Sequence, residues 1–207
     1  MLNPGLGRGP SAASLINKVF MHIFYSKDVP LYDPRDEGGN ADTINQTGAP
    51  ECYRGEKVLA RFEFRVPNGK KHYVPITQQD DLDLMRKYDP LVKAGDPDAT
   101  YQIGRILTKY DSLVGPSLIV HAADQGCTDA QVYVGDHNVS GNSPEGALDY
   151  YTKAAKAGNI CGMCRLGCAY AEGDICLIDR GLAEQWLRKA AVYCKEVDYK
   201  LHVYGLD

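Results

Sequence analysis

Two hydrophobic periods divide the chain. From Lys57 onward, Val58, Ala60, Phe62, Phe64 and Val66 alternate with Leu59, Arg61, Glu63 and Arg65, the period of a half-buried strand. Pro67-Asn68-Gly69-Lys70 follows, and Asn-Gly supplies the two positive-φ residues of a tight hairpin turn. Lys71 to Ile76 is expected to return antiparallel, with Phe64 opposite Tyr73 and Phe62 opposite Pro75. A lone hairpin is only marginally stable in water, so its aromatic face is expected to pack on the first helix that follows.

From Asp80 the spacing becomes helical and the chain repeats itself. Ala99-x-x-x-Ile103-Gly104 recurs as Ala130-x-x-x-Val134-Gly135 and as Gly162-x-x-x-Leu166-Gly167, at offsets of 31 and 32 residues. A second signal keeps step: Ala122-Ala123-Asp124-Gln125-Gly126, Ala154-Ala155-Lys156-Ala157-Gly158, and Ala190-Ala191 with Cys194 in the terminal place. Seven residues before each alanine pair stands Gly115, Ala147 or Ala183, and three further on Leu118, Tyr150 or Trp186. The small residues let two helices cross closely, Ile103, Val134 and Leu166 fill the space between them, and Tyr150 and Trp186 are expected to plug the second helix against the first. Gly126 and Gly158 stand where a helix must stop in a left-handed residue. Asp111, Ser143 and Asp179 are the expected N-caps of the second helices, with Pro144 in the first helical position. Each unit is thus a helix–turn–helix of about 32 to 36 residues, which cannot bury its apolar face without stacked neighbours.

The best-formed unit runs from Gly162 to Ala191, through Leu166-Gly167, Tyr170, Gly173, Asp179, Ala183, Trp186 and Lys189-Ala190-Ala191. In these residues the chain resembles the Sel1-like repeat, a branch of the tetratricopeptide-like solenoids. The match covers about half the chain. The middle unit departs from it, with Asn138 in a tyrosine position and a shortened loop, and Tyr110 stands where the first unit should have glycine. Asp80 to Gly95 reads as an orphan second helix capping the stack, which Pro90 should kink or interrupt. The fold expected is mainly α: an α-α superhelix of helical-hairpin repeats over 77–207, a β-hairpin at 57–76 and an irregular N-terminal segment at 1–56. Within that segment Pro30 to Pro50 reads as loop. Leu15 to Tyr25 reads as a short docked helix, because Asn17, Lys18 and His22 break its apolar run and no cleavage site follows.

Composition narrows the function. The formal net charge of −4, with 23 Lys and Arg against 27 Asp and Glu, is mixed along the chain, so nucleic acid is not expected as the ligand. No segment approaches the apolar length of a membrane span, although residues 11–25 could tether the chain to a membrane surface. The seven cysteines, an odd number, are Cys52, Cys127, Cys161, Cys164, Cys168, Cys176 and Cys194. Their uneven spread points to a reducing, cytoplasmic setting, with the periplasm as the alternative.

Candidate chemistry is thin. Cys161, Cys164 and Cys168 share a helical face and, with Cys176, suggest a thiol or zinc-binding protein. No second ligand pair follows, and Cys164 occupies an apolar repeat column, so packing is the expected role. His121 and Cys127 lack an orienting carboxylate at a fixed spacing, and no phosphate loop, nucleophile motif or His-x-x-x-His is present. No enzyme activity, cofactor or metal is expected. The resemblance implies instead a protein–protein interaction module, of the kind that serves as an adaptor, a secretion-associated factor or an immunity protein holding a toxin or effector. In such stacks the first helices line the binding face. The columns that leave the core there are Gln102, Tyr133 and Arg165, then Arg105, Asp136 and Cys168, then Lys109, Ser140 and Glu172. The expected partner-binding set is Gln102, Arg105, Tyr133, Asp136, His137, Arg165 and Glu172, with Tyr133 and Arg165 foremost.

Overall fold

A computed structural model of the chain describes residues 22–25, 52–53, 56–65, 71–111, 113–141 and 143–206. The strands among them are β1 (His22–Tyr25), β2 (Cys52–Tyr53), β3 (Glu56–Lys57), β4 (Ala60–Arg65) and β5 (Lys71–Ile76). The helices are α1 (Gln79–Lys93), α2 (Pro97–Thr108), α3 (Val114–Asp124), α4 (Thr128–Ser140), α5 (Pro144–Lys156), α6 (Ile160–Glu172), α7 (Arg180–Ala191) and α8 (Glu196–Val203). The chain divides into two compact units, 1–95 with 102–117, and 96–101 with 118–207; α2 and α3 cross the boundary.

In the first unit β1, β4 and β5 form an antiparallel sheet in the order β1-β4-β5, and β2 pairs with β3. The register differs by one residue from the expected one: Phe62 lies opposite Val74, Phe64 opposite His72, and Ala60 opposite Ile76. Burial explains the slip. Ala60, Phe62, Val74 and Ile76 are all inaccessible, and only this register puts the four on one face, because a one-residue shift sends every side chain of a strand to the other side. Arg65 pairs with Lys71, an odd spacing that a two-residue turn cannot bridge; Asn68-Gly69 itself lies outside the described residues. The Leu15–Tyr25 expectation is also corrected where it can be read. His22–Tyr25 is a strand paired with β4, Ile23 opposite Phe62, and the rest of that stretch lies outside the described residues, as does Pro30 to Pro50.

Helix α1 runs through Pro90 and stops three residues later at Lys93, so proline's missing N–H falls near an end rather than breaking the helix. Its Asp81 is buried, and takes the Lys109 ammonium at 2.6 Å and the Tyr110 hydroxyl at 2.8 Å. The Tyr110 oxygen also accepts the backbone N–H of Gln78. Burial, then the bond to Asp81, pushes the Tyr110 phenol up to about 12. The residue that breaks the repeat pattern therefore closes the end of α2 onto the start of α1.

The second unit holds the regular hairpins α4–α5 and α6–α7, and the repeat columns do in it what their sizes require. A Cβ on Gly135 would lie 2.4 Å from the Tyr151 ring, and one on Gly167 would lie 2.7 Å from Leu187 Cγ. The plugs are thus Tyr151 and Leu187, both buried, one residue after the Tyr150 and Trp186 expected from the sequence. A helix turns about 100° per residue, so the neighbour in sequence faces the crossing. Tyr150 and Trp186 pack half-buried at the edge: the Tyr150 hydroxyl reaches Asp124 at 3.2 Å, and Lys189 Nζ stands 4.4 Å over the Trp186 ring. Burial, then the Asp124 charge, pushes the Tyr150 phenol up to about 12.

The helix ends follow their caps. Gly126 and Gly158 hold φ of +103° and +92°, and Asp179 accepts the N–H of Leu182 at 2.9 Å. Asp111 accepts from Leu113 and Val114, whereas Ser143 makes no side-chain cap and leaves Pro144 to start α5. Asp179→Ala should lower stability by about 1 kcal/mol, since it orphans a helix-start N–H; urea titration followed by circular dichroism checks this, and an unchanged midpoint would remove the cap from the account. Helix α8 was not foreseen from the sequence. It buries Val197 and Leu201 and joins a cluster with Cys168, Ala183, Leu187, Ala190 and Leu206.

Candidate functional site

Helices α4 and α6 stand side by side as the first helices of successive hairpins. Asn159, which caps α6 by accepting the N–H of Gly162, donates across to Thr128 Oγ1 at 3.0 Å and Asp129 Oδ1 at 2.7 Å. Two turns further along, Arg165 meets Asp136 with one edge of its guanidinium in a bidentate contact, Nε to Oδ1 and Nη2 to Oδ2, each at 3.0 Å. Tyr151 donates to the same carboxylate at 2.7 Å from α5. Burial, then that bond, raises the Tyr151 phenol. The Arg165 and Asp136 side chains are 52% and 40% exposed, so water screens the pair and it adds at most about 1 kcal/mol to stability. Its larger effect is to hold an arginine and an aspartate in fixed orientation on the surface of the ladder.

Tyr133 lies half-buried one turn before, its ring edge-on to Tyr101 at 6.3 Å and tilted against His137 at 4.5 Å. His137 is exposed. Glu172, at the end of α6, is exposed and accepts the Tyr204 hydroxyl of α8. Of the seven expected partner-binding residues, Tyr133, Asp136, His137, Arg165 and Glu172 fall in the second unit, on α4 and α6. Gln102 and Arg105 fall in the other unit, on α2, where their side chains lie 3.5 Å apart. Cys168, placed off the core by its column, is buried instead, because α8 covers that side of α6.

Cysteine chemistry is dispersed. The six described cysteines outside the strands are free: Cys127 and Cys168 buried, Cys164, Cys176 and Cys194 half-buried, Cys161 exposed. Cys127 caps α4 by accepting the N–H of Ala130, and burial, then the bond to Asp98, pushes its thiol up to about 12. Among the described residues no group of three or more His, Cys, Asp or Glu is placed to hold a metal ion, and no described helix is long and apolar enough to cross a membrane.

Paired antiparallel helices, small residues at the crossings and bonds between successive first helices define the architecture. Solved structures share it. The fold is a Sel1-like, tetratricopeptide-like helical-repeat solenoid with a small β element. The chain is similar to the Sel1 repeat protein from Oxalobacter formigenes, with 30% sequence identity over 56% of its length and a TM-score of 0.51. It is also similar to a protective antigen present in uropathogenic Escherichia coli strains displaying an SLR fold, at 23% identity over 59% of its length and a TM-score of 0.51. The chain spans 36% and 29% of those two chains. No family model and no curated protein matches it.

Proposed function

We propose that this chain is a non-catalytic module that binds another protein along the first-helix ladder of its second unit. The observation that carries the reading is the Tyr133–Asp136–Arg165 group: an aromatic ring and a guanidinium, the residue types enriched at binding hot spots, preoriented by contacts within the ladder itself. Preorientation lowers the ordering cost of association. Helical-repeat folds commonly serve as interaction scaffolds. The finer role we propose, an adaptor or immunity protein occupying a cognate toxin or effector, follows from the family resemblance. We propose a cytoplasmic setting, with the periplasm as the alternative, which the uneven spread of the cysteines along the chain supports.

Affinity capture of the full chain, followed by mass spectrometry, tests this reading. One abundant protein partner should be retained by the wild type and lose at least about tenfold in affinity with Tyr133→Ala plus Arg165→Ala. A partner bound equally by the double variant would move the site off this ladder. Protection of cells from a co-expressed toxin tests the immunity role, and fractionation tests the compartment.

A further inference from the structure

The feature that the interaction reading leaves unused is the polar cluster between α6 and α8. Cys164 and Cys168 are four residues apart on α6 and therefore share a face. Helix α8 brings Lys200 Nζ to 3.1 Å from Cys168 Sγ, and one turn later Tyr204, whose hydroxyl bonds Glu172. Cys168 is 8% exposed and Cys164 half-buried, so the pair is largely shielded from bulk water. Arg188 and Arg180 bind the backbone carbonyls of Leu206, Tyr204 and Gly205 and so fix the end of the chain that holds Tyr204. We propose that Cys168 is a thiolate nucleophile, held by Lys200 beside Cys164, that is selectively oxidised by hydrogen peroxide. This site adjoins the ladder at Arg165 and Glu172 on α6, but its thiol chemistry does not depend on the partner-binding reading.

An ammonium within hydrogen-bond distance of a shielded thiol favours its ionised form. The hydrogen bond from Cys164, then that from Lys200, bring the Cys168 thiol below its ordinary range, against burial acting the other way. Cys164 is raised, by its bond to Cys168 and then by burial, and Lys200 is raised by the same sulfur. The position of Lys200 divides the roles: its ammonium stands against Cys168 Sγ, so Cys168 carries the charge and Cys164 is the donor beside it. Around them stand Glu172 and Arg165 on α6 and Lys200 and Tyr204 on α8. Cys176 and Cys127 behave differently, since burial raises both.

In the step proposed, the Cys168 thiolate attacks one oxygen of hydrogen peroxide. The S–O bond forms as the O–O bond breaks, hydroxide leaves and takes a proton from solvent. The sulfur loses two electrons and the peroxide is reduced to water, leaving a sulfenic acid. Helical residues four apart hold their Cβ atoms about 5–6 Å apart, beyond the roughly 3.5–4.5 Å of a disulfide. Cys164 is therefore expected to leave the sulfenic acid standing rather than condense with it.

The test uses the reduced full chain and its exposed Cys161 as an internal reference. Pulses of iodoacetamide between pH 5 and 9, read site by site by mass spectrometry, should show Cys168 reaching half-maximal labelling at least one pH unit below Cys161. Lys200→Met should raise that midpoint and reduce Cys168 labelling at pH 7 roughly tenfold, while Lys200→Arg should largely preserve it. Hydrogen peroxide followed by dimedone should tag Cys168 ahead of Cys161. The proposal is overturned if native Cys168 titrates with or above Cys161, stays unlabelled by both reagents, or is indifferent to Lys200→Met in a variant with unchanged circular dichroism.

Discussion

Gly162→Val should be among the most damaging single substitutions in the second unit, lowering stability by about 3 kcal/mol or more. Gly162 is buried near the start of α6, where the chain passes directly over the end of α5. A Cβ there would fall 2.7 Å from Ala154 Cβ, 2.9 Å from Ala155 N and 3.0 Å from the Ala154 carbonyl carbon. Two of these atoms are helical backbone, which cannot swing aside as a long side chain would, so the two hairpins would have to separate. The helix-propensity gain on replacing glycine with valine is less than about 1 kcal/mol and does not offset that. Urea unfolding followed by circular dichroism measures the loss. Gly181→Ala provides the contrast, since its Cβ would meet only Asp179 Oδ1 at 3.4 Å; it should be neutral or stabilise by up to about 1 kcal/mol. If both variants unfolded at the same denaturant concentration, the close helix approach at Gly162 would be wrong.

Leu187→Ala should cost about 2–5 kcal/mol. Leu187 is completely inaccessible, touches the α6 backbone side at Gly167, and joins the cluster that includes Cys168, Ala183, Ala190 and the α8 residues Val197 and Leu201. Truncation removes contacts with two helices at once, and the backbone of α6 is too rigid to collapse into the space. The same unfolding measurement applies, and its outcome separates the plug residue from its neighbour. Trp186→Ala should cost less despite the larger side chain, because the indole is only half-buried and one of its faces is occupied by Lys189. A larger loss at Trp186 than at Leu187 would restore the tryptophan as the plug.

The two substitutions mark what could be read from the chain and what could not. The small positions at Gly135, Gly162 and Gly167 were legible because a close helix crossing admits almost no side chain, so the constraint is written in residue size and repeats with the unit. The plug was displaced by one residue because tyrosine and tryptophan draw the eye to Tyr150 and Trp186, whereas the crossing selects whichever residue the helix rotation turns inward. The candidate ladder was legible in the same partial way. Repeat columns placed Tyr133, Asp136 and Arg165 off the core, but an offset of 29 residues between Arg165 and Asp136 crosses the columns, and nothing in the spacing announced their ion pair. Glu172 and Tyr204 meet for a similar reason, through a helix whose existence the repeat pattern did not signal.

By itself, then, the sequence determined that the chain folds into paired helices, their caps at Gly126, Gly158 and Asp179, and the alternating strand at Phe62. These depend on local conformational preference and on a periodicity visible over a few residues. Tertiary structure decided the sheet register, since only burial of Ala60, Phe62, Val74 and Ile76 on one face distinguishes it from its one-residue neighbour. It also decided the pairing of Arg165 with Asp136 and the enclosure of Cys168 beside Lys200. Charge and nucleophilicity depend on what stands within a few ångströms, and for those residues the neighbours come from other helices.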